Sequence, residues 1–233
     1  MTLDDPDLVR REYSSDAGLA GRIAGYRFAE GPDARDLTFQ AVAEAAPRRV
    51  LEVGCGQGWL SERIHRELGS DVIALDQSEH MVELTRRRGV EAIVGDIQAL
   101  PFEDAAFDCV VAAWMLYHAA DIHRALSELA RVLVPGGRLV AVTNSHDHLG
   151  ELADLLGVER PAYSFSAENG EERLRQRFAT IERREAYGWV TFPTRAEAQA
   201  HVDHTILWGG RQLPQFDGPL RVRRTPVVFV ATK

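Results

Sequence analysis

From Arg48 to Val94 short apolar runs alternate with helical patterns: RRVLEV, WLSERIHREL, DVIAL, EHMVELTRRR and EAIV, in that order. The runs are apolar at consecutive rather than alternate positions, which fits strands covered on both faces, as in a parallel sheet. Leu60, Ile64 and Leu68 recur at i, i+4 and i+8 and place one apolar stripe against such a sheet. FDCVVAAWML continues the rhythm as a strand running into its tip. Ile122, Ala125, Leu126, Leu129 and Leu133 then mark one side of a helix, which PGG at Pro135 to Gly137 breaks before the strand RLVAVT. Parallel neighbours need crossovers, and these are right-handed, so the succession predicts a doubly wound α/β sheet.

After Thr143 the pattern changes. A charged helical stretch from about Asp147 to Phe178 precedes AYGWVTF, a helix near Arg195 to Leu207, and the terminal strand PVVFVAT. The last two strands are expected to form an antiparallel hairpin at the edge of a seven-stranded, Rossmann-like sheet. The first 45 residues read as mostly helical, able to cover the crevice beyond the strands' carboxyl ends where such sheets bind ligands. A chain of 233 residues with 45% hydrophobic content buries one substantial core, so a single domain is expected.

The formal charge of -8 opposes a protein whose affinity rests on neutralising phosphates, so no nucleic-acid partner is expected. The short basic runs at Arg86 to Arg88 and Arg221 to Arg224 read as solvated flanks. Cys55 and Cys109 give no disulfide framework and no metal site, and they suit a reducing compartment. No segment approaches eighteen apolar residues, so no membrane partner and a cytoplasmic location are expected.

The stretch LEVGCGQGWL brings Gly54, Gly56 and Gly58 to the turn from the first strand into a helix, where backbone N–H groups and the helix dipole face a ligand. The dinucleotide spacing G-x-G-x-x-G fails here, because Trp59 stands at the third glycine's place and Glu52 lies in the strand end. Asp76 ends the strand DVIALD, placed to accept both hydroxyls of a ribose. Asp96 and Ile97, in VGDI at the tip of the next strand, are placed for an adenine edge; capping a turn is the alternative for either aspartate.

With these residues in order, the chain from about Val50 to Thr143 resembles the class I S-adenosylmethionine-dependent methyltransferases. VLEVGCGQG, ALDQSEHMV, GDIQALPFEDAAFDCVVAAWMLYH and ALSELARVLVPGGRLVAVT resemble their successive motifs. The resemblance implies S-adenosylmethionine as cofactor. Glu52 would orient its ammonium end, Gly54, Cys55 and Gly56 would let the backbone approach, and Asp76 would bind the ribose. Gln77 and Met81 would flank the adenine, Asp96 and Ile97 would meet its edge, and the backbone at Ala113 and Trp114 would receive the methionyl ammonium. Met81 serves equally well as plain core at a helical spacing. Tyr13, Leu19 and Arg22 are similar to the N-terminal cap of some small-molecule members, which adds Tyr13 and Arg22 to the cofactor set. The domain then divides into a helical cap (1–45), a cofactor-binding core (46–145) and a substrate-side insert with the edge hairpin (146–233).

Methyl transfer from sulfur is an in-line displacement dominated by positioning, which supplies on the order of 7–11 kcal/mol at best. A base matters when the acceptor arrives protonated. His118, Tyr117 and His146 are the catalytic candidates, past the fourth and fifth strands, with His148 beside them. The cluster SHDH lacks convincing metal-ligand geometry, so no metal is expected. AAWMLYH stands where methyltransferases of macromolecular amide or amino nitrogens often carry an Asn/Asp-Pro-Pro-Tyr/Phe stretch. A small-molecule acceptor with an oxygen or nitrogen nucleophile, possible secondary metabolites included, and a monomer or homodimer are therefore expected. Trp189, Phe192, His201, His204 and Trp208 form either an acceptor wall or packing for the hairpin. A nicotinamide-dependent oxidoreductase and a non-catalytic cofactor-binding module are the rival readings.

Overall fold

The computed structural model describes residues 3–15, 17–206 and 208–233. Strands β1 to β10 are Ala29–Glu30, Arg49–Val53, Asp71–Asp76, Glu91–Val94, Phe107–Ala113, Leu133–Asn144, Thr180–Glu185, Gly188–Phe192, Leu220–Arg224 and Pro226–Thr232. Helices α1 to α9 are Pro6–Glu12, Ala17–Gly25, Ala34–Ala43, Trp59–Leu68, Glu79–Arg87, Ile122–Val132, Gly150–Leu156, Gly170–Arg175 and Arg195–Asp203. The main sheet has seven strands in the order β4-β3-β2-β5-β6-β10-β7. Strands β2 to β6 pair in parallel, whereas β10 pairs antiparallel with both β6 and β7.

Strand alternation sorts the apolar side chains onto two cores, one on each face of the sheet. Leu51, Val53, Ile73, Leu75, Val110, Ala112, Leu139, Ala141 and Phe229 pack on one side with Leu126 and Leu129 of α6. Val50, Val72, Ala74, Cys109, Val111, Val140, Val142 and Val228 pack on the other with Ile64 of α4 and Val82 of α5. This two-sided burial is why the runs are apolar at successive positions.

Three details depart from the sequence expectations. AYGWVTF does not join the main sheet: β8 pairs with β1 and β9 in a second, three-stranded sheet. Its Val190 and Phe192, with Val222, Leu152, Val202 and Trp208, make a third core. The edge strand of the main sheet is instead β7, TIERRE, whose charged side chains suit a strand exposed along one face and one edge. The PGG segment does not separate helix from strand; α6 already ends at Val132, and Pro135 to Gly137 form a bulge inside β6, where pairing jumps from Phe107–Leu133 to Cys109–Arg138. The helix expected near Arg195 to Leu207 ends at Asp203, and Leu207 lies outside the described residues. Among the described residues no helix is long and apolar enough to cross a membrane.

Candidate active site

The carboxyl ends of β2 and β3 lie side by side, with Val53 opposite Leu75, and the glycine loop is bound directly to the neighbouring strand. The N–H groups of Gly54 and Cys55 both donate to the Leu75 carbonyl, at 2.7 and 3.2 Å. Gly54 has φ of 71°, and a Cβ there would lie 2.7 Å from the Met115 side chain, so both conformation and space demand glycine. Gly56, at φ of 53°, donates its N–H to Asp76 Oδ2 at 2.9 Å. Asp76 Oδ1 accepts from the Ser78 N–H at 3.0 Å, so main chain from two elements fixes the carboxylate at the strand tip.

Glu52, two residues before Gly54, is only 3% exposed, and the Ser61 hydroxyl of α4 donates to it. Burial raises its pKa to about 7, opposed by the Ser61 bonds and reinforced by Asp76. Burial also raises the pKa of Asp76, opposed by its backbone hydrogen bonds. Two buried carboxyls at adjacent strand tips, with no cationic side chain among the described residues bonded to either, form a donor set that favours a cation above the glycine loop. Helix α2 covers the loop from outside: Leu19 Cδ2 lies 3.3 Å from where a Gly56 Cβ would stand.

Trp114 follows β5 in the left-handed region, at φ of 53°, a conformation that bulky residues adopt under constraint. Its N–H donates to the Val142 carbonyl at 2.9 Å and its indole Nε1 to Asn144 Oδ1 at 3.2 Å, which tie the ends of β5 and β6 together. Ala113 ends β5 half-buried. Gln77 is exposed, and Met81 is fully buried on α5, as packing alone would require. Cys55 is buried, with Sγ 3.4 Å from the Thr85 hydroxyl, and burial raises its thiol pKa far above the ordinary value. Asp96 is exposed and caps the turn Ile97–Ala99, accepting from the Gln98 N–H at 2.8 Å, while Ile97 is buried.

The N-terminal cap closes over the tips of β5 and β6. Ser78 Oγ donates to the Tyr13 carbonyl at 2.6 Å, which anchors the cap beside Asp76. Tyr13 Oη lies 3.0 Å from His118 Nε2, and His118 Nδ1 lies 2.7 Å from the Leu3 carbonyl. Arg22, on α2, pairs with Glu12, donates to the His204 carbonyl at 2.9 Å and holds its guanidinium 5.8 Å from the Tyr13 ring centroid. Its Nη2 is buried and has no hydrogen-bond partner among the described residues. Tyr117 packs against His118 and Tyr163, and Tyr163 against His146, at centroid distances of 4.6, 5.4 and 5.8 Å. His146 Nε2 approaches Glu168 at 3.7 Å. Burial lowers the His118 pKa to about 4, with Arg22 adding to the effect, so the ring is neutral at pH 7. Burial also raises the Tyr13 pKa to about 12.

Tyr26, Tyr163 and Asn144 carry no periodic signal in the sequence that would place them at this site. Tyr26 Oη lies 2.9 Å from His148 Nε2, and its ring meets His201 edge-on at 5.4 Å. Of the expected aromatic wall, Phe192, His201 and Trp208 are buried in or against the third core, Trp189 is half-buried with Arg221 over its ring, and His204 is exposed. Among the described residues no group of three potential metal ligands converges.

The sheet order and the carboxyls at adjacent strand tips are consistent with a class I methyltransferase domain. Residues 51–141 match the model of the Methyltransferase domain family. The demethylmenaquinone methyltransferase of Renibacterium salmoninarum is 40% identical over 118 residues, covering 50% of this chain and 49% of that protein. The chain thus spans about half the length of such curated relatives. Among solved structures, a methyltransferase of Thermotoga maritima described as a possible histamine N-methyltransferase matches with a TM-score of 0.61 and 22% identity, over 96% of this chain and 99% of that one. The cyclase SpnF matches with a TM-score of 0.64 and 21% identity, over 97% and 94%.

Proposed function

We propose that this chain transfers the methyl group of S-adenosylmethionine to an oxygen or nitrogen nucleophile of a small molecule. The observation that carries the reading is the pair of buried carboxyls, Glu52 and Asp76, at adjacent strand tips beneath a loop whose glycines have positive φ. When bound, S-adenosylmethionine supplies a methyl carbon on a positively charged sulfur. Asp76 receives the ribose hydroxyls on the lone pairs that Gly56 and Ser78 leave it. Glu52 favours the ammonium end, and the backbone at Ala113 and Trp114 meets the same group from β5. Arg22 is a cation available to the methionyl carboxylate, its buried Nη2 without a partner among the described residues and Tyr13 beside it. Gln77, Met81, Asp96 and Ile97 take the adenine side, and Cys55 packs behind the loop.

His118 is the first candidate base, neutral at pH 7 and held by the Leu3 carbonyl; Tyr117 packs on its ring, and His146 is the second candidate. The demethylmenaquinone enzyme supports a small-molecule acceptor. The likeness to the cyclase SpnF supports a second reading, in which the cofactor site is kept for other chemistry.

S-adenosylhomocysteine is expected to raise the melting temperature while NAD does not, because a ligand that binds only the folded state stabilises it by mass action. The reverse result favours the nicotinamide reading. Labelled cofactor offered with a metabolite extract then separates methyl transfer from the second reading: a labelled product supports transfer, and tight binding with no product from any extract supports the other.

A further inference from the structure

Two tyrosine–histidine pairs flank α2, one at Tyr13 and one at Tyr26, and their hydrogen bonds run in opposite directions. His118 Nδ1 faces the Leu3 carbonyl at 2.7 Å. A carbonyl only accepts, so Nδ1 carries the proton, Nε2 is the acceptor, and the Tyr13 hydroxyl at 3.0 Å donates to it. Tyr13 thereby presents oxygen lone pairs. At the other pair the Thr225 N–H donates to His148 Nδ1 at 3.0 Å, and a backbone N–H only donates. The proton of neutral His148 is therefore on Nε2, and it is given to Tyr26 Oη at 2.9 Å. Tyr26 keeps its own proton to donate, and among the described residues no protein acceptor takes it. Burial holds both histidines neutral, with pKa values lowered to about 4 for His118 and about 3 for His148, so neither polarity changes near pH 7.

The two pairs belong to one wall. Rings run without a break from Tyr13 through His118, Tyr117 and Tyr163 to His146, two residues before His148. From Tyr26 they continue through His201 to Phe192. Arg22, on the helix between Tyr13 and Tyr26, acts electrostatically on Tyr13, Tyr26, Tyr117 and His201. Among the described residues, the carboxylates acting on this wall are Glu12, paired with Arg22, Glu168, beside His146, Asp76, acting on Tyr13, and Asp4, acting on His118. The buried guanidinium of Arg22, acting on several groups of this wall, disfavours an ammonium-bearing acceptor, despite the net charge of -8.

We propose that the acceptor is a neutral or weakly acidic aromatic carrying a hydroxyl and a separate carbonyl oxygen, the hydroxyl donating to Tyr13 and the carbonyl accepting from Tyr26. This deepens the methyltransferase reading and rests on it. The hydroxyl oxygen forms the new C–O bond as the C–S bond breaks, its electron pair staying on sulfur. The hydroxyl proton passes to the Tyr13 oxygen as the Tyr13 proton passes to His118 Nε2. The oxygen grows strongly acidic as it takes the methyl, so a histidine of low basicity suffices late in the step.

The test titrates the enzyme loaded with S-adenosylhomocysteine, by calorimetry, with 3- and 4-hydroxyacetophenone, phenol, acetophenone and benzylamine. One hydroxyacetophenone is expected to bind at least about tenfold more tightly than phenol or acetophenone, the effect of one added hydrogen bond to a buried group. Tyr26→Phe should reduce it to the level of phenol while leaving phenol unchanged, and Tyr13→Phe should lower kcat with labelled S-adenosylmethionine more than it alters KM. Preference for benzylamine, a hydroxyacetophenone preference that survives Tyr26→Phe, or no binding by either hydroxyacetophenone overturns the proposal. Failure of S-adenosylhomocysteine itself to bind overturns the underlying reading instead.

Discussion

Replacing Glu52 by glutamine should stabilise the empty protein and weaken its hold on the cofactor. Glu52 is 3% exposed and its pKa rises from 4.5 to about 7. A group whose folded pKa lies above its unfolded value contributes full stability below the unfolded pKa, and that contribution is lost as pH rises through the folded one. Between pH 4.5 and about 7 the folded protein therefore loses stability from this residue. The loss amounts to about 3 kcal/mol once the carboxyl is ionised. Glutamine keeps the oxygen that accepts from Ser61 but adds an amide N–H in need of a partner, which costs about 1 kcal/mol. The net gain of about 2 kcal/mol corresponds to a rise in Tm of roughly 4–8 °C for a domain of this size. Melting curves of both proteins at pH 5 and pH 8.5 measure it: the variant should melt higher at pH 8.5, with the advantage gone at pH 5. Calorimetry with S-adenosylhomocysteine at pH 8.5 should show affinity roughly 10- to 100-fold lower, as expected for losing a charged hydrogen-bond acceptor. A variant that melts lower by the same margin at both pH values, or binds the ligand undiminished, refutes the reasoning.

Asp76→Ala should weaken S-adenosylhomocysteine binding by at least about tenfold, read by the same titration, because it removes the acceptor and leaves the Gly56 and Ser78 N–H groups unpaired. Gly54→Val should lower Tm and abolish detectable binding, since its side chain meets Met115 and its φ of 71° disfavours a branched residue; equal melting curves would show that the loop is less constrained. His118, His148 and His201 have pKa values lowered to about 4, 3 and 4 by burial. Their neutral forms are favoured on folding, so the unfolded chain binds more protons below pH 6.5, and stability should fall as pH drops from 6.5 toward 4. Melting temperatures that stay flat across that range, after allowing for carboxylates, would contradict their burial.

The central sheet was legible because two-sided burial writes consecutive apolar residues into β2, β3, β5 and β6, and because the helix faces of α4 and α6 repeat at helical spacing. The strand-tip position of Asp76 was legible for a related reason: the apolar run DVIAL ends there. Strand β7 was not, since TIERRE carries the charges of an exposed edge and lacks the apolar pattern. AYGWVTF carries a strand pattern, but only pairing with Ala29–Glu30 and Leu220–Arg224 assigns it to a second sheet, and pairing is not local information. The two tyrosine–histidine pairs were hidden for the same reason. Tyr13 meets His118 across 105 residues and Tyr26 meets His148 across 122, contacts that no periodicity announces.

A crystal structure grown with S-adenosylhomocysteine tests the account most directly. Density is expected across the glycine loop, with both ribose hydroxyls within hydrogen-bond distance of Asp76 and the ammonium group beside Glu52 and the Ala113 and Trp114 backbone. Side chains of the cap filling that space at saturating ligand, with the nucleoside absent or bound elsewhere, would contradict it.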